Sequence, residues 1–92
     1  MRLNLWDMEG SVYTREYRVF LKLLRKARED AGLTQRELAR KLEKSYSFVA
    51  KLETGYSRMD IYQIRCYLQA VGMPFLQFMQ SYEQAFLESD SE

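Results

Sequence analysis

The chain has a single proline, Pro74, and only four glycines, at positions 10, 32, 55 and 72. Between these breakers it is rich in Leu, Lys, Arg, Glu and Gln, so helices meet little intrinsic opposition and the breakers become their ends. The only strand-like alternation, Arg2-Leu3-Asn4-Leu5, is too short to build on. No internal repeat or low-complexity tract is evident. An all-α fold is therefore expected. With 92 residues it is one domain.

Five helices follow from caps and spacing. Thr14 caps the first, which carries Glu16 in its opening turn and stops at Gly32. Tyr17, Phe20, Leu21, Leu24, Ala27 and Ala31 recur at spacings of three and four and form its inward face. Thr34 with Glu37 three residues on is a capping-box pattern opening a short second helix, with Leu38, Ala39 and Leu42 inward. Ser45 caps a third helix that runs to Thr54 before Gly55, with Val49 and Leu52 inward. Asp60 caps a fourth, carrying Ile61, Ile64, Leu68 and Val71 and ending at Gly72. Pro74 opens a fifth that reaches about Leu87. The resulting organisation is a leader at residues 1–13, a folded domain at 14–87 and an acidic tail at 88–92 that frays. Leu3, Leu5, Trp6 and Met8 give the leader more apolar mass than a floppy arm carries, so burial of Trp6 in this chain or a partner is expected.

Several function classes fall away. There is no His, which removes the commonest general base and metal ligand. Cys66 is the single cysteine, so neither an internal disulfide nor a Cys-based zinc site is available. At this length folding hides only roughly 60–65% of the unfolded chain's surface, and a catalytic cavity would compete with a thin core. An enzyme is not expected, nor is a metal or cofactor. No effector pocket is visible in the pattern either. Apolar runs are too short to cross a membrane and the start has no secretory core, so a cytoplasmic protein is expected.

Charge is unevenly spread. The net value is only +1, yet residues 12–59 hold twelve Lys or Arg against six Asp or Glu. Residues 60–92 hold Arg65 against five acids. A basic centre with an acidic end suits a domain that meets a polyanion with one face, and equally a solvated helix surface with no partner.

Only Glu43 and Lys44 separate the second helix from the third, which forces a sharp crossing at which Ala39 lets the two approach. That is a helix-turn-helix arrangement, whose second helix enters a major groove. The run Gly32-Leu33-Thr34-Gln35-Arg36-Glu37-Leu38-Ala39, followed by Val49, Leu52-Glu53 and Gly55, resembles the lambda-repressor-like, Cro-type (XRE) helix-turn-helix family. Leu68-Gln69-Ala70-Val71-Gly72 with Pro74 and Phe78 matches the family's passage from helix four to helix five. The resemblance covers roughly residues 14–80. It implies a five-helix DNA-binding domain that acts as a dimer on two-fold symmetric operators. It also implies that Gln35 meets a phosphate and that Ser45, Tyr46, Ser47 and Lys51 lie on the recognition helix. Arg28 and Glu53 would match the family's internal ion pair. The family's turn holds a Gly where this chain has Glu43. Either the left-handed conformation is kept, at a cost of roughly 1 kcal/mol, or the turn relaxes into another geometry.

Read for chemistry alone, Lys44, Lys51 and Arg58 flank the third helix and can neutralise phosphates, and Ser45 and Ser47 can donate to phosphate or base. The helix N-terminus adds partial positive charge. Tyr46 can pack on a thymine methyl or bond a base edge, and Lys51 reaches guanine or only a phosphate. Taken alone, a Tyr or Lys on an exposed helix face is more often solvated surface, and the motif shifts that balance. Phe48 is expected to pack over Leu52, and Arg36, Arg40 and Lys41 to form a general basic surface. With no Arg, Asn or Gln at the leading positions, direct base readout should be modest, with phosphates and DNA shape supplying more.

The fifth helix carries Phe75, Leu76, Phe78, Met79, Tyr82, Ala85, Phe86 and Leu87, more apolar surface than one small core covers. Surplus of this kind marks an interface, expected through Phe75, Leu76, Met79, Tyr82 and Phe86 in a homodimer. The combined expectation is a DNA-binding transcriptional regulator, a repressor that holds double-stranded DNA as a homodimer. The alternative is a protein-interaction module of the same fold, such as an antitoxin with a toxin partner.

Overall fold

A computed structural model describes residues 14–90. The leader, with Leu3, Leu5, Trp6 and Met8, lies outside the described residues. Five helices follow in order: α1 (Arg15–Asp30), α2 (Gln35–Leu42), α3 (Tyr46–Thr54), α4 (Ile61–Val71) and α5 (Phe75–Asp90). Among the described residues none is long and apolar enough to cross a membrane.

Local hydrogen bonds set the boundaries. Thr14, Thr34, Ser45 and Asp60 each take up an amide three residues on, from Tyr17, Glu37, Phe48 and Gln63. Each such bond satisfies one of the amides a helix start leaves without an internal partner. The Thr34 capping box is reciprocal, since the Thr34 amide donates to Glu37 Oε1 at 2.8 Å. Asp60 and Gln63 form a second box, with the Asp60 amide donating to Gln63 Oε1 at 3.0 Å. Gly55 and Gly72 end α3 and α4 in the left-handed conformation.

The core is drawn from every helix. Leu24, Leu38, Val49, Leu52, Tyr67, Leu68 and Phe78 are almost wholly enclosed, and Ala39 sits buried in α2, which packs on α3. α1 packs against α3, α4 and α5. Phe20 meets Phe78 and Tyr82 edge-on at centroid distances of 5.8 and 6.1 Å, which anchors α5 along α1.

Three expectations change. Ile61 is 62% exposed, although it falls on the inward stripe of α4. It is the first residue of that helix. Ala31, expected on the inner face of α1, is exposed as the helix cap. α5 also continues past Leu87 to Asp90, because no breaker follows and Glu and Ser do not oppose another turn.

Candidate nucleic-acid interface

The orientation of α3 is fixed from below by a buried polar cluster. Arg28 Nε donates to Glu53 Oε2 at 2.7 Å and its second terminal nitrogen to Glu53 Oε1 at 3.2 Å. The two side chains are only 8% and 2% exposed. Gln35 Nε2 donates to Glu53 Oε1 at 2.9 Å, and the Tyr67 hydroxyl, close to Glu53 Oε2 at 2.6 Å, also lies 3.2 Å from the Leu24 carbonyl oxygen. Arg28 reaches the Leu33 carbonyl as well, at 2.8 Å. One carboxylate therefore ties α1, α2, α3 and α4 together.

The electrostatics follow from this crowding. Burial alone would raise the Glu53 carboxyl. The hydrogen bonds from Arg28, Tyr67 and Gln35, together with the Arg28 charge, outweigh it and hold the group below the usual carboxylate range. The Tyr67 hydroxyl is driven far above its ordinary value, by burial first and then by its bond to the Glu53 carboxylate. It stays a neutral donor at any physiological pH. Tyr67 escaped the sequence reading, although its spacing from Ile64 and Val71 places it beside the α4 stripe. The amide of Gln35, the residue expected to meet a phosphate, also donates to α3, because a buried carboxylate needs donors on both oxygens.

The turn holds its tight geometry in spite of its sequence. Glu43 adopts φ 59° and ψ 42°, the left-handed conformation. The Lys44 amide donates to the Ala39 carbonyl at 2.9 Å and the Glu43 amide to that of Arg40 at 3.1 Å. Among the described residues Glu43 is the single non-glycine with positive φ. The left-handed turn is therefore kept with a Glu in place of a Gly, and the backbone strain is accepted.

Above this foundation the start of α3 is open. Lys44, Ser45, Tyr46, Ser47 and Lys51 are all exposed, as is Arg58 beyond the helix. Three cations lie over aromatic rings on this side. Arg36 sits 4.5 Å from the centre of the Tyr46 ring, Lys44 5.3 Å from that of Phe48, and Lys51 5.4 Å from that of Tyr56. Each such contact contributes about 0.5–1 kcal/mol at an exposed site. Phe48 is half-buried and packs onto the core. The Arg36–Tyr46 pair had no signal in the sequence, because it spans the turn between two helices.

α5 packs along α1 of its own chain. Phe75, Met79 and Tyr82 are half-buried against this chain's own core. The Tyr82 hydroxyl donates to the Glu16 carbonyl at 3.2 Å, and Arg15 lies over the Phe86 ring at 4.3 Å. Leu76 and Leu87 are the strongly exposed apolar residues of this helix, at 70% and 55%. A groove of about 680 Å³ also opens between the end of α2, α3 and α4, with Phe48, Tyr62 and Cys66 among its walls. Nothing in the residue pattern marks this groove in advance. Among the described residues no cluster of His, Cys, Asp or Glu is assembled that could hold a metal ion.

Comparison with known proteins accords with this geometry. Residues 24–62, from the middle of α1 to the first turn of α4, match a family model described as helix-turn-helix. An XRE-family like protein from Pseudomonas syringae pv. tomato has a similar solved structure, with a TM-score of 0.74 and 30% sequence identity. The match covers 84% of this chain and 96% of that one. No curated protein matches the sequence.

Proposed function

The chain belongs to the XRE family of helix-turn-helix proteins, and on that premise we propose that it is a sequence-specific transcriptional repressor binding a two-fold symmetric operator as a homodimer. The observation that carries this reading is the open N-terminus of α3, with Ser45, Tyr46 and Ser47 exposed and Lys44, Lys51 and Arg58 around it. Residues at the start of a recognition helix reach base edges in the major groove, and flanking cations neutralise phosphates. Gln35, though bonded to Glu53, keeps the second hydrogen of its amide for a phosphate. Neither a metal nor a cofactor enters the mechanism. The setting is the cytoplasm, where the operator is accessible.

A second copy is proposed to pack on the outer face of α5. Leu76 and Leu87 are eleven residues apart, about three helical turns, and so share one face. This moves the interface off the Phe75, Met79, Tyr82 and Phe86 line, which is largely engaged within the chain. Two recognition helices about one DNA turn apart double the phosphate contacts available to a chain of net charge +1.

The exposed Tyr56, Ile61 and Tyr62 at the corner between α3 and α4 favour a second reading, an antitoxin-like module whose partner is a protein. Selection from a random duplex library at two salt concentrations separates the two. A two-fold symmetric consensus, with affinity falling as salt rises, supports the repressor. No enrichment at either salt would sink it and leave the protein partner as the leading reading.

A further inference from the structure

We propose that Arg36, although it belongs to α2, is the guanine-reading residue of the DNA interface, with Tyr46 as the platform that holds it. The inference rests on the DNA-binding reading above and deepens it. The sequence shows no Arg, Asn or Gln at the leading positions of α3, which predicts weak base readout. The tertiary structure changes that inventory by laying the Arg36 guanidinium 4.5 Å from the centre of the Tyr46 ring, over the first residue of α3.

The chemistry of the pair favours a base over a phosphate. Arg36 is exposed, and among the described residues its guanidinium finds neither a hydrogen-bond acceptor nor an acidic partner. A guanidinium held over a ring spends none of its five N–H donors on that contact, and the ring keeps the group beside the start of α3. A phosphate tolerates many approach angles, whereas the O6 and N7 of guanine ask for two parallel donors in one plane. In the major groove guanine is the base that offers two adjacent acceptors of this kind. The first residue of a recognition helix sits at base-edge depth, and a guanidinium resting on its ring shares that depth. Lys44 and Lys51 also lie over rings, but an ammonium is a freely rotating point donor, whereas the guanidinium presents two parallel donors in a rigid fork.

The test uses the full chain and the duplex it selects from a random library. Guanines of the half-site are replaced one at a time by 7-deazaguanine, which lacks the N7 acceptor, and each duplex is titrated with the wild type, Arg36→Ala, Arg36→Lys, Tyr46→Phe and Tyr46→Ala. The expected result is one guanine per half-site at which the wild type loses roughly tenfold or more on 7-deaza substitution. Arg36→Ala and Arg36→Lys should bind the natural duplex roughly 10- to 100-fold more weakly and lose that discrimination. Tyr46→Phe, which keeps the ring, retains it, and Tyr46→Ala loses part of it. Both side chains are exposed, so circular dichroism of the variants should match the wild type. A uniform loss on all sequences with a salt dependence lower by about one phosphate would make Arg36 a backbone clamp and overturn the proposal. So would a consensus without a guanine in its half-site, or variants that bind like the wild type. If the wild type selects no duplex at all, the DNA-binding reading fails and this proposal falls with it.

Discussion

Replacing Glu53 by Gln keeps the size of the side chain and removes its charge, at a place where four donor contacts meet two oxygens. An amide offers one oxygen and presents an NH2 where the other oxygen had accepted. Two of the donors, from Arg28, Gln35 or Tyr67, then face another donor. Each hydrogen bond lost to a charged group costs about 1.5–3 kcal/mol. The Arg28 guanidinium, 8% exposed, is left without a counter-charge. Removing one partner of a buried pair costs roughly 3–5 kcal/mol, in agreement with the count of lost bonds. A domain of this size has a total stability of about 5–14 kcal/mol, so the variant forfeits about a fifth of it or more. Urea unfolding followed by far-ultraviolet circular dichroism measures the effect, at fixed protein concentration because association adds to stability. With a slope of about 1–1.5 kcal/mol per molar, the midpoint should fall by about 2 M or more. Glu83→Gln, on the exposed side of α5, should stay within about 0.5 kcal/mol of the wild type. A loss below about 1 kcal/mol for Glu53→Gln would refute the argument that this carboxylate holds four helices together.

Four further outcomes follow from the same geometry. Tyr67→Phe should cost about 1.5–3 kcal/mol in urea unfolding, since it removes a donor to a buried carboxylate and leaves the packing of the ring in place. Glu43→Gly should stabilise by about 1 kcal/mol and raise Tm by about 4–8 °C by relieving the left-handed backbone; a lower Tm would count against strain there. The Glu53 and Glu37 carboxyls are held below their ordinary range, so their contribution is complete above an unfolded pKa of about 4.3 and is lost as pH falls through the lower folded values. Wild-type stability should therefore drop steeply on acidification below about pH 4.5, with a shallower drop in Glu53→Gln, and equal slopes would contradict the assignment. Leu76→Glu combined with Leu87→Glu should convert a dimer to monomer in sedimentation with the helical signal intact, and a persistent dimer would place the contact elsewhere.

What the sequence decided by itself is local. Thr14, Thr34 with Glu37, Ser45, Asp60 and Gly72 mark helix ends because a cap bond or a left-handed residue acts within three or four positions, where chain order is also spatial order. The apolar spacing likewise shows which face of α1, α2 and α3 turns inward, and the short link at Glu43–Lys44 shows the sharp crossing. Even the Arg28 and Glu53 pairing was legible, through resemblance, because that motif is carried by residue identity. Tertiary structure decided the rest. Ile61 keeps the spacing of the α4 stripe and still faces solvent, since spacing marks a face of a helix and not what covers it. The aromatic line of α5 reads as surplus until Arg15, Glu16 and Phe20, more than sixty positions earlier in the chain, come to cover it. Arg36 looks like one basic surface residue among several until the turn sets it on Tyr46. Each of these depends on the angle and register between helices, which arise from packing of the whole core and are encoded in no single stretch of residues.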